Sequence, residues 1–120
     1  MTERGSAVVE FALVLPVVLL VLVAVSEVVV VARTQIELQA AAREGARVAA
    51  TTPDPGRAVE ATSVALGEPL AATARVTVTR SSVVGGRAVV EVSVRHHLAR
   101  AVLGGIPLTL TSRAVMRVER

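Results

Sequence analysis

The chain has 120 residues and a mass of 12.4 kDa, enough for one small domain beside a membrane segment and no more. Hydrophobic residues make up 52% and mean hydropathy is +0.63, which excludes a disordered chain, while the absence of cysteine excludes a disulfide framework, a thiolate metal site and a thiol nucleophile. Formal charge is +3, a modest excess that the pI of about 11.3 exaggerates because all 13 basic residues are arginine, and Phe11 as the sole aromatic argues against nucleic-acid binding by base stacking.

The chain opens with a short polar leader ending at Gly5, four further residues, and an acid, Glu10. From Phe11 to Val31 it reads FALVLPVVLLVLVAVSEVVVV, with Leu, Val or Phe at 16 of 21 positions. About 20 such residues in a helix cross a hydrocarbon core of roughly 30 Å. Their insertion sums to about −5 to −10 kcal/mol at most, against at most about 3 kcal/mol for Glu27, so insertion wins. A transmembrane segment is therefore predicted over about 11–31, with Pro16 bending its first turns without breaking it. A signal peptide cut after Ala24-Val25-Ser26 is the weaker reading, because the apolar run continues past that point and exceeds the usual length of about 7–15 residues. Counted alone, Arg4 before the span against Arg33, Arg43 and Arg47 after it would place the C-terminal part in the cytoplasm.

Beyond the span the composition shifts to Ala, Gln, Glu and Arg, good helix formers, in Ala32-Arg33-Thr34-Gln35-Ile36-Glu37-Leu38-Gln39-Ala40-Ala41-Ala42-Arg43-Glu44-Gly45-Ala46-Arg47. The helix is predicted to run on over 6–50, about 68 Å at 1.5 Å per residue. Ala42, Ala46 and Ala50 form one row of small residues, and Ala41, Gly45 and Ala49 another. Such rows allow close approach of another backbone, either helices of other subunits or the chain's own domain.

Residues 51–120 are predicted to form a small domain. Thr52-Pro53-Asp54-Pro55-Gly56 ends the long helix, with Asp54 as N-cap and Pro55 as first residue of a short second helix that Gly67 stops after Leu66. Val59, Ser63 and Leu66 give that helix an apolar stripe. Three strand patterns follow. Ala74, Val76 and Val78 alternate with Arg75, Thr77 and Thr79. Val90, Val92 and Val94 alternate with Glu91, Ser93 and Arg95. Leu108, Leu110, Ala114, Met116 and Val118 alternate with Thr109, Thr111, Arg113, Arg117 and Glu119. Gly85-Gly86 supplies a hairpin turn and Gly104-Gly105 another turn. The expected fold class is α+β, a three-stranded antiparallel sheet whose apolar face is covered by the short helix or the outer half of the long one.

No catalytic constellation and no cofactor motif is present. His96 and His97, adjacent on a strand, point to opposite faces and are read as a solvated strand end, not a metal site. Residues 51–120 carry nine Arg against five acids, and Arg75, Arg87, Arg95, Arg113 and Arg117 decorate alternating strand positions. This is a solvated sheet face first, and a weak basic patch for DNA second.

The leader glycine, the acid five places on, the span and the AAREGAR stretch together resemble type IV prepilin-like proteins, in particular the TadE-like minor pseudopilins of Tad (Flp) pilus systems. The stretch Leu108–Glu119 is similar to the family as well. The resemblance implies a bacterial inner-membrane protein whose 1–5 leader is cytoplasmic and is removed by a prepilin peptidase between Gly5 and Ser6, with Glu10 retained one helical turn from the new amino terminus. It also implies an extracytoplasmic C-terminal domain, against the arginine count. It further implies helix packing with other pilin-like subunits, for which Ala41, Ala42, Gly45, Ala46 and Ala49 are the candidates, and a structural role in pilus assembly. The alternatives are an unprocessed single-pass envelope anchor and a weak DNA-binding variant.

Overall fold

The computed structural model describes residues 3–119; Met1 and Thr2 of the leader and Arg120 of the C-terminal domain lie outside the described residues. Helix α1 spans Glu3–Thr51, 49 residues, and is continuous through Pro16. It begins three residues before the predicted start, so Gly5 lies inside its first turns. The molecule measures 81 × 22 × 18 Å, a rod set by this one helix.

Three residues separate α1 from helix α2, Pro55–Leu66. The Asp54 carboxylate accepts a hydrogen bond from the Gly56 N–H at 2.9 Å, and Gly67, at φ +67°, donates its N–H to the Ser63 carbonyl at 3.2 Å. Both ends of α2 are thus satisfied by the residues expected to do so. Its inward stripe differs from expectation at two of three positions: Leu66 is buried as expected, but Ala58 and Thr62 are buried beside it, while Val59 faces outward and Ser63 is half-buried. The reason is the closeness of α1. A Cβ on Gly45 would overlap Thr62 Oγ1, so the close crossing needs glycine on the α1 side. The buried Thr62 hydroxyl donates to the Ala58 carbonyl at 2.7 Å, which offsets the cost of removing it from water.

One-turn helices α3, Leu70–Thr73, and α4, Arg100–Leu103, were not signalled by the pattern. Strands β1, Arg75–Arg80, β2, Arg87–Leu98, and β3, Ile106–Arg117, form one antiparallel sheet in the order β1-β2-β3. The register pairs Val76 with Val92, Val90 with Ala114 and Val94 with Leu110, so the predicted inward residues of all three strands fall on one face. The fold is the predicted α+β. That face packs on the outer half of α1, and α2 packs beside it against α1 and β1. The core joins Leu38 and the small residues of α1 to Val90, Val92 and Val94 of β2, and to Leu110 and Val118 at the β3 side. Each fully buried Val or Leu contributes about 1.5–3 kcal/mol.

Replacing Gly45 with Ala should cost about 1–3 kcal/mol through overpacking, despite the gain in helix propensity. Adding Thr62→Ala should restore part of the loss. Thermal unfolding of the detergent-solubilised protein measures both, and an unchanged melting temperature in the single variant would contradict the tight crossing.

Candidate functional site

Gly5, Ser6 and Glu10, the residues expected at a processing site, lie on the exposed first turns of α1. The Ser6 hydroxyl approaches Glu10 Oε1 at 3.5 Å, the one-turn spacing that puts i and i+4 on one face. From Val8 to Val30 the helix shows apolar side chains on all sides, with only Val23 and Glu27 partly covered. It is long and apolar enough to cross a membrane: its most apolar 18-residue window has mean hydropathy 3.0 and is not buried by the rest of the chain.

The outer half of α1 is different. Leu38, Ala41, Ala42, Gly45, Ala46, Ala49 and Ala50 are buried, and what covers them is the chain's own sheet and α2. Of the two uses left open for the small-residue rows, the structure displays the docking of the domain. In the AAREGAR stretch the small residues turn inward, and Arg43 and Arg47 turn outward. Arg47 bonds Glu44 through Nε at 3.0 Å and Nη2 at 2.6 Å, and this holds the Glu44 carboxyl below the usual range and the guanidinium above its own.

Polar bonds fasten the domain to the helix at three levels. At the outer end, Arg80 donates from Nε to the Ala49 carbonyl at 2.7 Å, and the Glu119 N–H donates to the Ala50 carbonyl at 2.9 Å. These fill acceptors that a helix end leaves open, and the guanidinium suits the negative end of the helix dipole. In the middle, Gln35 Nε2 donates to the Thr111 carbonyl at 2.9 Å. At the inner level is Glu27, within the apolar run. Its Oε1 accepts the Ala99 N–H at 2.9 Å, and its Oε2 lies 3.4 Å from His96 Nε2, an ion pair when the ring is protonated. Ala99 sits at φ +49°, a left-handed conformation that costs a non-glycine residue free energy, and the bond to Glu27 helps hold it there.

The Glu27–His96–Ala99 cluster was missed in the sequence. The available signal was the acid itself, since a carboxylate in an apolar run calls for a partner. His96 and His97 do face opposite ways, but the reading of a solvated strand end is corrected for His96, which is only 23% exposed in its side chain. On the outer sheet face Arg75, Arg87, Arg95, Arg113 and Arg117 are exposed. Arg113 lies opposite Glu91 in the register, and Arg87 lies opposite Arg117. Arg80 is turned the other way, toward the end of α1.

Residues 5–47 match the family model of the TadE-like protein family. The match takes in Gly5, the whole apolar run and the AAREGAR stretch, and ends before the Leu108–Glu119 similarity. No curated protein and no solved structure matches the chain significantly.

Glu27→Ala should leave the Ala99 amide without its acceptor. A hydrogen bond to a charged group contributes about 1.5–3 kcal/mol, so exchange of that amide should accelerate roughly 10- to 100-fold. Hydrogen exchange followed by NMR in detergent measures this, and unchanged protection would contradict the fastening.

Proposed function

Taking as premise that this is a TadE-like protein, a Tad pilus-related component, we propose that it acts as a minor pseudopilin. It enters the inner membrane with the leader in the cytoplasm and the α+β domain outside. A prepilin peptidase cuts between Gly5 and Ser6, and the trimmed stem packs against other pilin-like helices during assembly of the pilus. The chain performs no reaction itself; it is the peptidase's substrate.

The observation that carries this reading is the division of α1. The small-residue face of its outer half, from Leu38 to Ala50, is covered by the chain's own domain, while its inner half is apolar almost all round and exposed apart from Val23 and Glu27, which are partly covered. A helix apolar all round requires lipid or other helices as its surroundings. Lateral packing with other subunits therefore falls to the stem around Val8–Val30, and not to Ala41, Ala42, Gly45, Ala46 and Ala49. Glu10 supports the reading by position: after cleavage, the ammonium of Ser6 is one helical turn away, a partner for an acid at the membrane edge.

A second reading, an unprocessed membrane anchor, draws on one observation: Gly5 is helical and not extended, so a protease would have to unwind the first turns to reach it. The mature amino terminus separates the two. Mass spectrometry of protein from cells with active peptidase should find Ser6 first, and Met1 first would overturn the proposal. Gly5→Ala should block trimming. Glu10→Ala should be trimmed but lose piliation, and normal piliation in that variant would remove Glu10 from assembly.

A further inference from the structure

The connection between β2 and β3 folds back along the stem and ends in an apolar tip. Leu98 pairs with Ile106 at the last rung of the sheet, and α4 and the Gly104-Gly105 turn close the loop. Val102 is 49% exposed, Leu103 66% and Ile106 50%. A groove of about 700 Å³ separates this tip from the stem and is lined by Leu20, Val23, Val28, Val31, Leu98 and Val102 among others. Its surface is almost wholly apolar, and Glu27 is its acid.

The level of the tip is fixed by its bond to Glu27. The apolar run is bracketed by Glu10 and Glu27, 17 residues or about 26 Å apart along a helix. If a hydrocarbon core of roughly 30 Å is centred between the two acids, its outer boundary falls about 2 Å beyond Glu27. Leu98 to Ile106 then sit at that boundary, not in water above it. Arg95, Arg100 and His97 are exposed beside the tip, and Arg33, exposed and 3.9 Å from Glu37 Oε1, lies on the stem six residues, about 9 Å, outward of Glu27. Apolar side chains ringed by arginines match an acyl boundary ringed by phosphates.

We infer that the β2–β3 tip is a membrane anchor: Val102, Leu103 and Ile106 enter the acyl boundary of the outer leaflet, and Arg95, Arg100 and Arg33 meet phospholipid headgroups. The occupant of the groove is lipid. Glu27 is shielded at this boundary because His96 and the Ala99 N–H cover it. The domain is held at two places, by the stem and by the bilayer, and cannot rise off the surface without exposing the tip. The inference rests on the reading of the stem as a membrane span.

The chain contains no Trp or Tyr, so an introduced tryptophan reports alone. The full-length protein is reconstituted into phosphatidylcholine–phosphatidylglycerol vesicles containing lipids brominated high on the acyl chain. Leu103→Trp and Val102→Trp should each lose most of their emission to the brominated lipid and resist quenching by aqueous acrylamide. Val83→Trp, in the loop at the opposite end of the sheet, should show the reverse. Leu19→Trp reports the span. If Leu19→Trp is quenched by lipid but both tip variants are quenched by acrylamide instead, the anchor is overturned and the span stands. If Leu19→Trp is also untouched by brominated lipid, the span reading fails and the anchor with it.

Discussion

The inward valines of β2 reach α1 closely only because the facing helix positions carry almost no side chain. Ala42, Gly45, Ala46 and Ala49 lower the wall of the helix, and Val90 and Val92 are fully buried against it. Larger residues there would push the sheet outward, and a three-stranded sheet with one uncovered face is marginal in water. Gly45 sets the limit: α2 crosses so near that its Thr62 occupies the space a Cβ would need. The domain has no core of its own apart from this helix. Outer stem and sheet are one packing unit.

That constraint divides α1 into two helices of different chemistry joined without a break. The outer half is amphipathic in the ordinary sense, with small residues inward and Arg43, Glu44 and Arg47 toward water. The inner half is apolar except for Ser26 and Glu27 and is exposed over most of its length, the β2–β3 connection covering it in part only at Val23 and Glu27. The fastenings respect the division. Arg80 and the Glu119 N–H close the far end of the helix, Gln35 holds β3 midway, and Glu27 holds the near end of the sheet. Between Glu27 and Ala50 the helix rises about 35 Å, close to the roughly 40 Å of a 12-residue strand, so β3 and the outer stem run side by side for nearly their full lengths.

Much of this was legible in the sequence because it is local. Asp54-Pro55 and Gly67 bracket α2 through bonds to neighbours two to four residues away, and strand alternation places Val90, Val92, Val94 and Leu110 without reference to the rest of the fold. What was not legible depends on contacts between distant segments. The inward stripe of α2 keeps Leu66 but takes Ala58 and Thr62 in place of Val59 and Ser63, because the orientation of α2 is set by its crossing with α1 and not by its own pattern. Helix α4 is a single turn held in a hairpin connection, too short to show a period. His96 meets Glu27 across 69 residues, and nothing within either segment names the other. Arg80 sits in a strand pattern like its solvated neighbours, yet its register position turns it toward the end of α1. The start of the long helix also escaped, because it was set at Ser6, the amino terminus that the resemblance implies, and not at a feature of the leader itself.

The domain is fixed to the outer stem and does not hang from the three residues that follow α1. Since the chain has no cysteine, spin labels can be placed at two introduced sites, Gln39→Cys on the exposed side of the stem and Arg113→Cys on the outer sheet face. Double electron–electron resonance on the membrane-reconstituted protein should return a single narrow distance. A broad or divided distribution would show a domain that swings free of its helix, and would contradict the account.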